Sequence, residues 1–516
     1  MTIKRAILAL LTILAIAQIS FSLKDSLTQP QIQSRLELYQ TNLVLHVAEF
    51  KSISTAAEFD FGNAVSSLVG KNPYAAASKK YLQVREESIT SRDNFNSQLE
   101  QLADAQAGAN DKSVVNLAQQ QQLQQQVAEL EQFINELDLK QGILTAVQSK
   151  PEAAISIWER EIERINNPQN PYAKTATLLK QLWQGNSKDV ESAIATITDN
   201  LDSWFRYQTL AKLNQVNNLE ENLALLQQQE LQAATNSLVK LAVISSIPAL
   251  GGILGVILLV SLIIQKLVQP ETAIIATNNS ATWSTPWDWE IIWQVLIVGF
   301  FFIGQFVLPL LLGVLNINPV NSPLRIKALY VLGSYTLMAA GGITVLYLSL
   351  RSFLPLPSDW FKFKLNSNWF VWGLGGYLVA IPLVLLVSLI NQQIWQGQGG
   401  SNPLLFLALQ AQDKVALAVF FATASIAAPV FEEIMFRGFL LPSLTKYVSV
   451  NGAIVISGLI FAVAHLSLSE VLPLATLGIV LGFVYTRSRN LLAPMLLHCL
   501  WNSGTLLSLF VLGGGV

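Results

Sequence analysis

Two adjacent carboxylates, Glu432 and Glu433, stand inside an otherwise apolar stretch that reads Ala-Pro-Val-Phe-Glu-Glu-Ile-Met-Phe-Arg-Gly-Phe from Ala428. An acid near the middle of a bilayer costs roughly 2.5–3.5 kcal/mol on insertion scales, so two in a row are hard to account for as filler. Neighbouring residues on a helix point about 100° apart, so these two cannot share one task. Arg437 follows Glu433 by four residues, lies on its face and is placed for an ion pair. That leaves Glu432 on another face, free for chemistry. The bland alternative is that both acids pair with Arg437 and lock helices together.

Two further polar sets follow in order. Phe461-Ala-Val-Ala-His465 puts His465 on the face of Phe461, and His498-Cys-Leu-Trp-Asn502 makes His498 and Asn502 project together. Taken singly, each reads as packing or as hydrogen-bonded glue between membrane helices. Taken together, they are three successive polar sets in apolar helices, at 432, 465 and 498, and they hold every histidine of the chain except His46. Charged groups in membranes face one another or a wet cavity. Convergence of Glu432, His465, His498 and Asn502 would assemble a base, proton-handling groups and oxyanion donors. Cys499 is the only cysteine of the chain, which excludes an internal disulfide and a multi-cysteine metal site. Standing next to His498, it faces another way and reads as small apolar packing.

The elements that must position these residues are set by composition. Of 516 residues, 52% are hydrophobic and 13% charged, well below the roughly 25% charged of a soluble domain. The net charge of -2 leaves no basic stripe for nucleic acid. Charge is unevenly spread. After residue 237 the acids are Glu271, Asp288, Glu290, Asp359, Asp413, Glu432, Glu433 and Glu470 alone, so the first half faces water and the second faces lipid.

Residues 1–23, a basic start and then an apolar run from Ala6 to Ile19, read as a signal anchor or signal peptide, with the uncleaved anchor preferred. Residues 24–237 read as an extramembrane, Gln-rich helical domain with coiled-coil character as one reading. The near-pure glutamine run 119–126 leads into Val127, Leu130, Phe133, Ile134 and Leu137 at three- and four-residue steps. The Asn-Pro pairs at 167 and 170 punctuate it. His46 has no partner at helical spacing and reads as incidental.

From Leu238 apolar stretches follow near 241–264, 292–314, 328–350, 370–390, 415–436, 453–468, 471–486 and 491–513. A span needs roughly 20 apolar residues, so the stretches at 453–468 and 471–486 are short and one of them can end inside the protein. Trp283, Trp287, Trp289 and Trp293 look like an interfacial belt, and the glycine clusters at 373–376 and 341–342 like close helix contacts rather than nucleotide loops. With the N-terminus in the cytoplasm, the outer flanks collect only Lys240, Arg325, Lys327 and Lys414 against ten basic residues inside, which favours this orientation and a non-cytoplasmic N-terminal domain. In this register Glu432, Glu433 and His498 lie in the inner half and His465 near an outer end. Regular full-length spans would keep the site apart; a short or tilted helix would bring His465 down.

Glu-Glu-x-x-x-Arg, Phe-x-x-x-His and His-x-x-x-Asn in this order resemble the three signature motifs of the CPBP family, which holds the CAAX-prenyl endopeptidases and abortive-infection-like proteins. The resemblance covers roughly residues 370 to 510. It implies an all-α polytopic bundle whose protease core occupies 369–516, with additional transmembrane helices in 238–368. It implies an intramembrane endopeptidase in the cell (inner) membrane that acts on a membrane-associated protein or peptide. Glu432 would take a proton from the attacking water, His465 would orient or share that water, and His498 and Asn502 would donate to the oxyanion. Glu433, Arg437 and Phe461 would support the site. Members are commonly classed as metalloproteases, while a metal-free glutamate mechanism has also been argued, so the cofactor is none or Zn2+. If a metal binds, Glu432, His465 and His498 can supply three ligands and an open water position, although no His-Glu-x-x-His helix is present. The competing readings are a non-catalytic membrane scaffold whose N-terminal domain binds a protein partner, and a transporter with an intramembrane proton relay. Membrane lipid is a partner under every reading.

Overall fold

The computed structural model describes residues 2–53, 69–107, 114–186, 189–317, 319, 322–410 and 413–513. It is all-helical, with no strand element among the described residues. The chain divides into two compact units, one of Pro30–Ser245 and one of the N-terminal stretch up to Gln29 with the chain from Ser246 onward.

α1 is Ile3–Ser26, α2 Ile32–Ile53, α3 Pro73–Ala107, α4 Val114–Val147, α5 Pro151–Ile165, α6 Pro171–Trp183, α7 Val190–Asn200, α8 Ser203–Val216 and α9 Glu220–Val268. Within Pro30–Ser245, α3 and α4 pack lengthwise through Phe95, Leu123 and Leu130. A regular coiled coil is not established by that contact. The core of this unit is built on Trp158, Trp204, Phe205 and Leu45, none of them exposed. Pro151 and Pro171 open their helices, where the missing N–H costs nothing. His46, which the sequence leaves without a partner, is buried here between Glu230 and Ser203.

The second unit is a membrane bundle. α1 lies along α10, Trp289–Val314, with the Trp293 indole donating to Thr12 Oγ1 at 2.7 Å and Arg5 paired with Glu290 at 2.8 Å. α11 is Leu324–Phe353, α12 Trp369–Trp395, α13 Pro403–Gln410, α14 Lys414–Leu444, α15 Val450–Val463, α16 Leu468–Ser488 and α17 Leu492–Gly513. Eight of the described helices are long and apolar enough to cross a membrane. α15 is not among them: its 14 residues reach about 21 Å at 1.5 Å per residue, short of the roughly 30 Å hydrocarbon core. The stretch expected at 453–468 is therefore the short helix. It ends at Val463, and Leu466 takes a left-handed φ of 58° as the chain turns back into α16.

Small residues let α15 and α16 touch. A Cβ on Gly478 would fall 2.8 Å from the Gly458 Cα, and one on Gly458 would fall 3.0 Å from the Ile479 nitrogen. Both obstacles are backbone and cannot yield. The glycines of α12 serve the same end: a Cβ on Gly373 would meet the Ala493 carbonyl at 2.8 Å. A Gly478→Val chain is expected to lose about 1–3 kcal/mol, the usual cost of overpacking, read as a lower melting temperature in detergent. An unchanged melting temperature would mean the helices part freely.

The tryptophan belt needs correction. Trp289 is exposed, but Trp283 and Trp287 are buried, stacked on Tyr485 and set edge-on to Trp360. Their indole N–H groups donate to the Asp359 carbonyl at 3.3 Å and to Ser443 Oγ at 3.0 Å. An indole whose donor finds a protein acceptor has no need of the lipid headgroup level.

Candidate active site

α14 carries the acids, and it is not a regular α-helix. Thr423–Ala427 and Ile434–Leu440 are wound with the wide, i to i+5 turns of a π-helix. Proline explains the position of each wide turn. Pro429 and Pro442 have no N–H to give and crowd the preceding turn, and widening it relieves the clash. In the first wide segment the amide of residue 429 would serve the Ala424 carbonyl. Pro429 has none, and the Asn502 side-chain amide fills that role at 2.7 Å. Carbonyls freed at membrane depth must find such partners.

Glu433 and Arg437 are both fully buried and paired at 2.9 Å. Arg437 also donates to the Gly478 carbonyl at 3.0 Å and stands 4.5 Å over the Phe461 ring. The Glu433 oxygen that meets Arg437 also faces His498 Nδ1 at 2.8 Å. An ionised carboxylate only accepts, so Nδ1 carries the proton and His498 presents Nε2 on its other side. Glu432 lies there, its Oε2 3.9 Å from Nε2. That oxygen is buried and has no hydrogen-bond partner among the described residues, while Oε1 accepts from the Tyr335 hydroxyl at 3.1 Å. The split of duties expected from a 100° separation is present: Glu433 holds the structural pair, and Glu432 faces the imidazole with one oxygen uncommitted.

His465 joins this group indirectly. Its Nδ1 bonds the Phe461 carbonyl at 2.8 Å, and its ring meets the Phe461 ring at 4.8 Å, while His498 meets the same ring at 5.6 Å. The short α15 is what brings Phe461 and His465 to this level. Among the described residues His465 makes no hydrogen bond or ion pair with Glu432, Glu433 or His498. No three His, Cys, Asp or Glu side chains among the described residues are arranged to hold a metal ion. Glu432, His465 and His498 thus do not fit as a ready zinc ligand set. Cys499 is free and partly buried beside this cluster.

Two neighbours escaped the sequence reading. Tyr335 of α11 reaches Glu432 across 97 positions of chain; a tyrosine in an apolar stretch gives no signal of its own. Glu470, which the sequence places at the end of an apolar stretch, heads α16, accepts the Asn402 amide at 2.9 Å and interacts electrostatically with His465.

A bundle of membrane-spanning helices with Glu, Arg and His buried on facing helices is an integral membrane protein with a polar site inside its bundle. Residues 414–504 match the family model described as type II CAAX prenyl endopeptidase Rce1-like, which places the similarity in this C-terminal stretch. Over 137 residues the chain is 28% identical to "Membrane-embedded CAAX protease MroQ" of Staphylococcus aureus (strain USA300), a match to 25% of this chain and 54% of that protein. Over 133 residues it is 25% identical to "Putative membrane peptidase YdiL" of Bacillus subtilis (strain 168), covering 26% and 53%. The chain spans about half the length of the curated relatives it matches. No solved structure matches it.

Proposed function

We propose that this protein is an intramembrane endopeptidase in which Glu432 activates water to hydrolyse a peptide bond of a membrane-associated protein or peptide. The observation that carries the proposal is the pairing of an uncommitted Glu432 Oε2 with His498 Nε2, 3.9 Å apart and walled off from solvent. A water bonded to both at about 2.8 Å would subtend an angle of about 90°, a geometry water accepts. Glu432 takes a proton as this water adds to the carbonyl carbon, and later delivers it to the departing amine. His498, fixed at Nδ1 by Glu433, holds the water or the developing oxyanion at Nε2. His465 faces the far side of Phe461 and orients the substrate end of the site, with Glu470 behind it. Asn502, engaged with Ala424, joins the oxyanion contacts only if it leaves that carbonyl. The extramembrane helices lie outside the cytoplasm, where they recruit substrate or a protein partner.

The test is a comparison of membrane proteomes from cells carrying the wild-type and Glu432→Gln chains. New protein termini present only with the wild type support the reading; identical termini in both speak for a scaffold or a transporter. Tyr335 adds a second check. It holds the carboxylate whose other oxygen works, so Tyr335→Phe is expected to lower kcat about tenfold or more with KM and membrane accumulation unchanged. A rise in KM alone would make Tyr335 a substrate contact instead.

A further inference from the structure

The water-facing unit holds a second constellation of reactive side chains, separate from the membrane site. His46 of α2 places Nδ1 2.6 Å from Glu230 Oε1 of α9 and Nε2 2.8 Å from the Ser203 hydroxyl oxygen at the start of α8. His46 and Glu230 are 2% and 3% exposed, whereas Ser203 is only half-buried, so the hydroxyl is the member that solvent can reach. The polar logic fixes the protons. An ionised Glu230 accepts only, so Nδ1 bears the hydrogen; a neutral imidazole then has its lone pair on Nε2, and Ser203 must donate to it. This is the hydrogen-bond order of a serine hydrolase triad, which is recognised by geometry and roles rather than by fold or chain order.

Ser203 adds an observation of its own. It sits at φ 50°, in the left-handed region that a non-glycine residue seldom takes, at a sharp entry into a helix. Such outliers cluster where the surroundings over-determine a reacting group, and a nucleophile on a strained turn into a helix is a known way to expose it. The turn is clamped. The next two side chains, Trp204 and Phe205, are fully buried, and the Trp204 indole donates to Glu49 at 3.1 Å. Among the described residues, the first amide of α8 to find a backbone partner is that of Arg206, on the Asp202 carbonyl. The N–H groups of Trp204 and Phe205 therefore point out of the helix N-terminus beside Ser203, where an oxyanion would form.

We propose that Ser203, His46 and Glu230 form a second hydrolytic site, with Ser203 the nucleophile and a carboxylic ester the substrate class. The Ser203 oxygen adds to the ester carbonyl carbon as its proton passes to His46 Nε2. The tetrahedral adduct collapses, and the alcohol leaves with that proton. Water then adds to the acyl-serine and gives a proton to Nε2; the carboxylic acid departs as the Ser203 oxygen regains the proton. Glu230 keeps the imidazole in the required tautomer throughout.

The experiment is labelling of the purified full-length protein with a fluorophosphonate probe, whose phosphorus accepts the serine oxygen as fluoride leaves, followed by peptide mapping. The expected result is phosphonylated Ser203, with the labelling rate at least about 10²-fold lower in His46→Gln. Glu230→Gln keeps an acceptor beside Nδ1 and is expected to slow labelling about tenfold, which preserves the test should His46→Gln fail to fold. An unlabelled Ser203 in the folded wild type, or wild-type labelling rates in either variant, overturns the proposal and leaves two hydrogen bonds that merely tie helices together.

Discussion

Replacing Arg437 by methionine is expected to destabilise the bundle by about 3–5 kcal/mol, the usual cost of removing one member of a buried ion pair. The reason is the charge left behind. Glu433 is fully buried, Arg437 is the one Lys or Arg paired with it among the described residues, and its second oxygen has no hydrogen-bond partner among them. Full burial keeps bulk water from solvating that carboxylate. The loss extends further, because Arg437 also caps the Gly478 carbonyl where α15 and α16 touch and packs on Phe461. The check is thermal unfolding in detergent, together with the Glu433→Gln and Arg437→Met double variant. Removing both charges is expected to restore most of the stability, since the penalty belongs to the orphaned carboxylate and not to the absent pair. A double variant as unstable as the single one would place the cost in packing.

The second large effect concerns turnover. Glu432→Gln preserves shape and still accepts from Tyr335, but an amide cannot take a proton from water. Its cleavage rate is expected to fall by about 10²–10⁴, the range attributed to a positioned general base, with melting temperature and membrane insertion unchanged. The contrast with Arg437 is diagnostic. Two residues five positions apart, one adjacent to each acid's role, should separate cleanly into a folding defect and a chemical one. If Glu432→Gln unfolds the protein as Arg437→Met does, Glu432 is part of the lock.

Much of this was legible in the chain before any coordinates. An intramembrane acid is expensive, so Glu432 and Glu433 announced themselves, and the four-residue step from Glu433 to Arg437 named the ion pair. The same cost argument flagged His498, whose partner proved to be Glu433 at one nitrogen and Glu432 at the other. The short stretch at 453–468 also signalled that one helix stops early, which is how the inner and outer motifs meet. Other features had no local signature. Tyr335 and Glu432, or His46, Ser203 and Glu230, meet only because distant helices pack, and neither periodicity nor spacing encodes a contact across 97 or 184 positions. Trp283 and Trp287 misled because amphipathic indoles serve an interface and a polar core equally well. Asn502 was read by its spacing from His498, while its partner was decided by a carbonyl that Pro429 leaves free.

The most direct test of the hydrolytic centre is a single-turnover cleavage in oxygen-18-enriched water, with wild-type and Glu432→Gln proteins in equally loaded proteoliposomes and a substrate drawn from the termini mapped in membranes. The wild type should place the heavy oxygen in the newly formed C-terminal carboxyl group, and the variant should give almost no product in the same time. Product formed by Glu432→Gln at the wild-type rate would contradict the assignment of that carboxylate as the base.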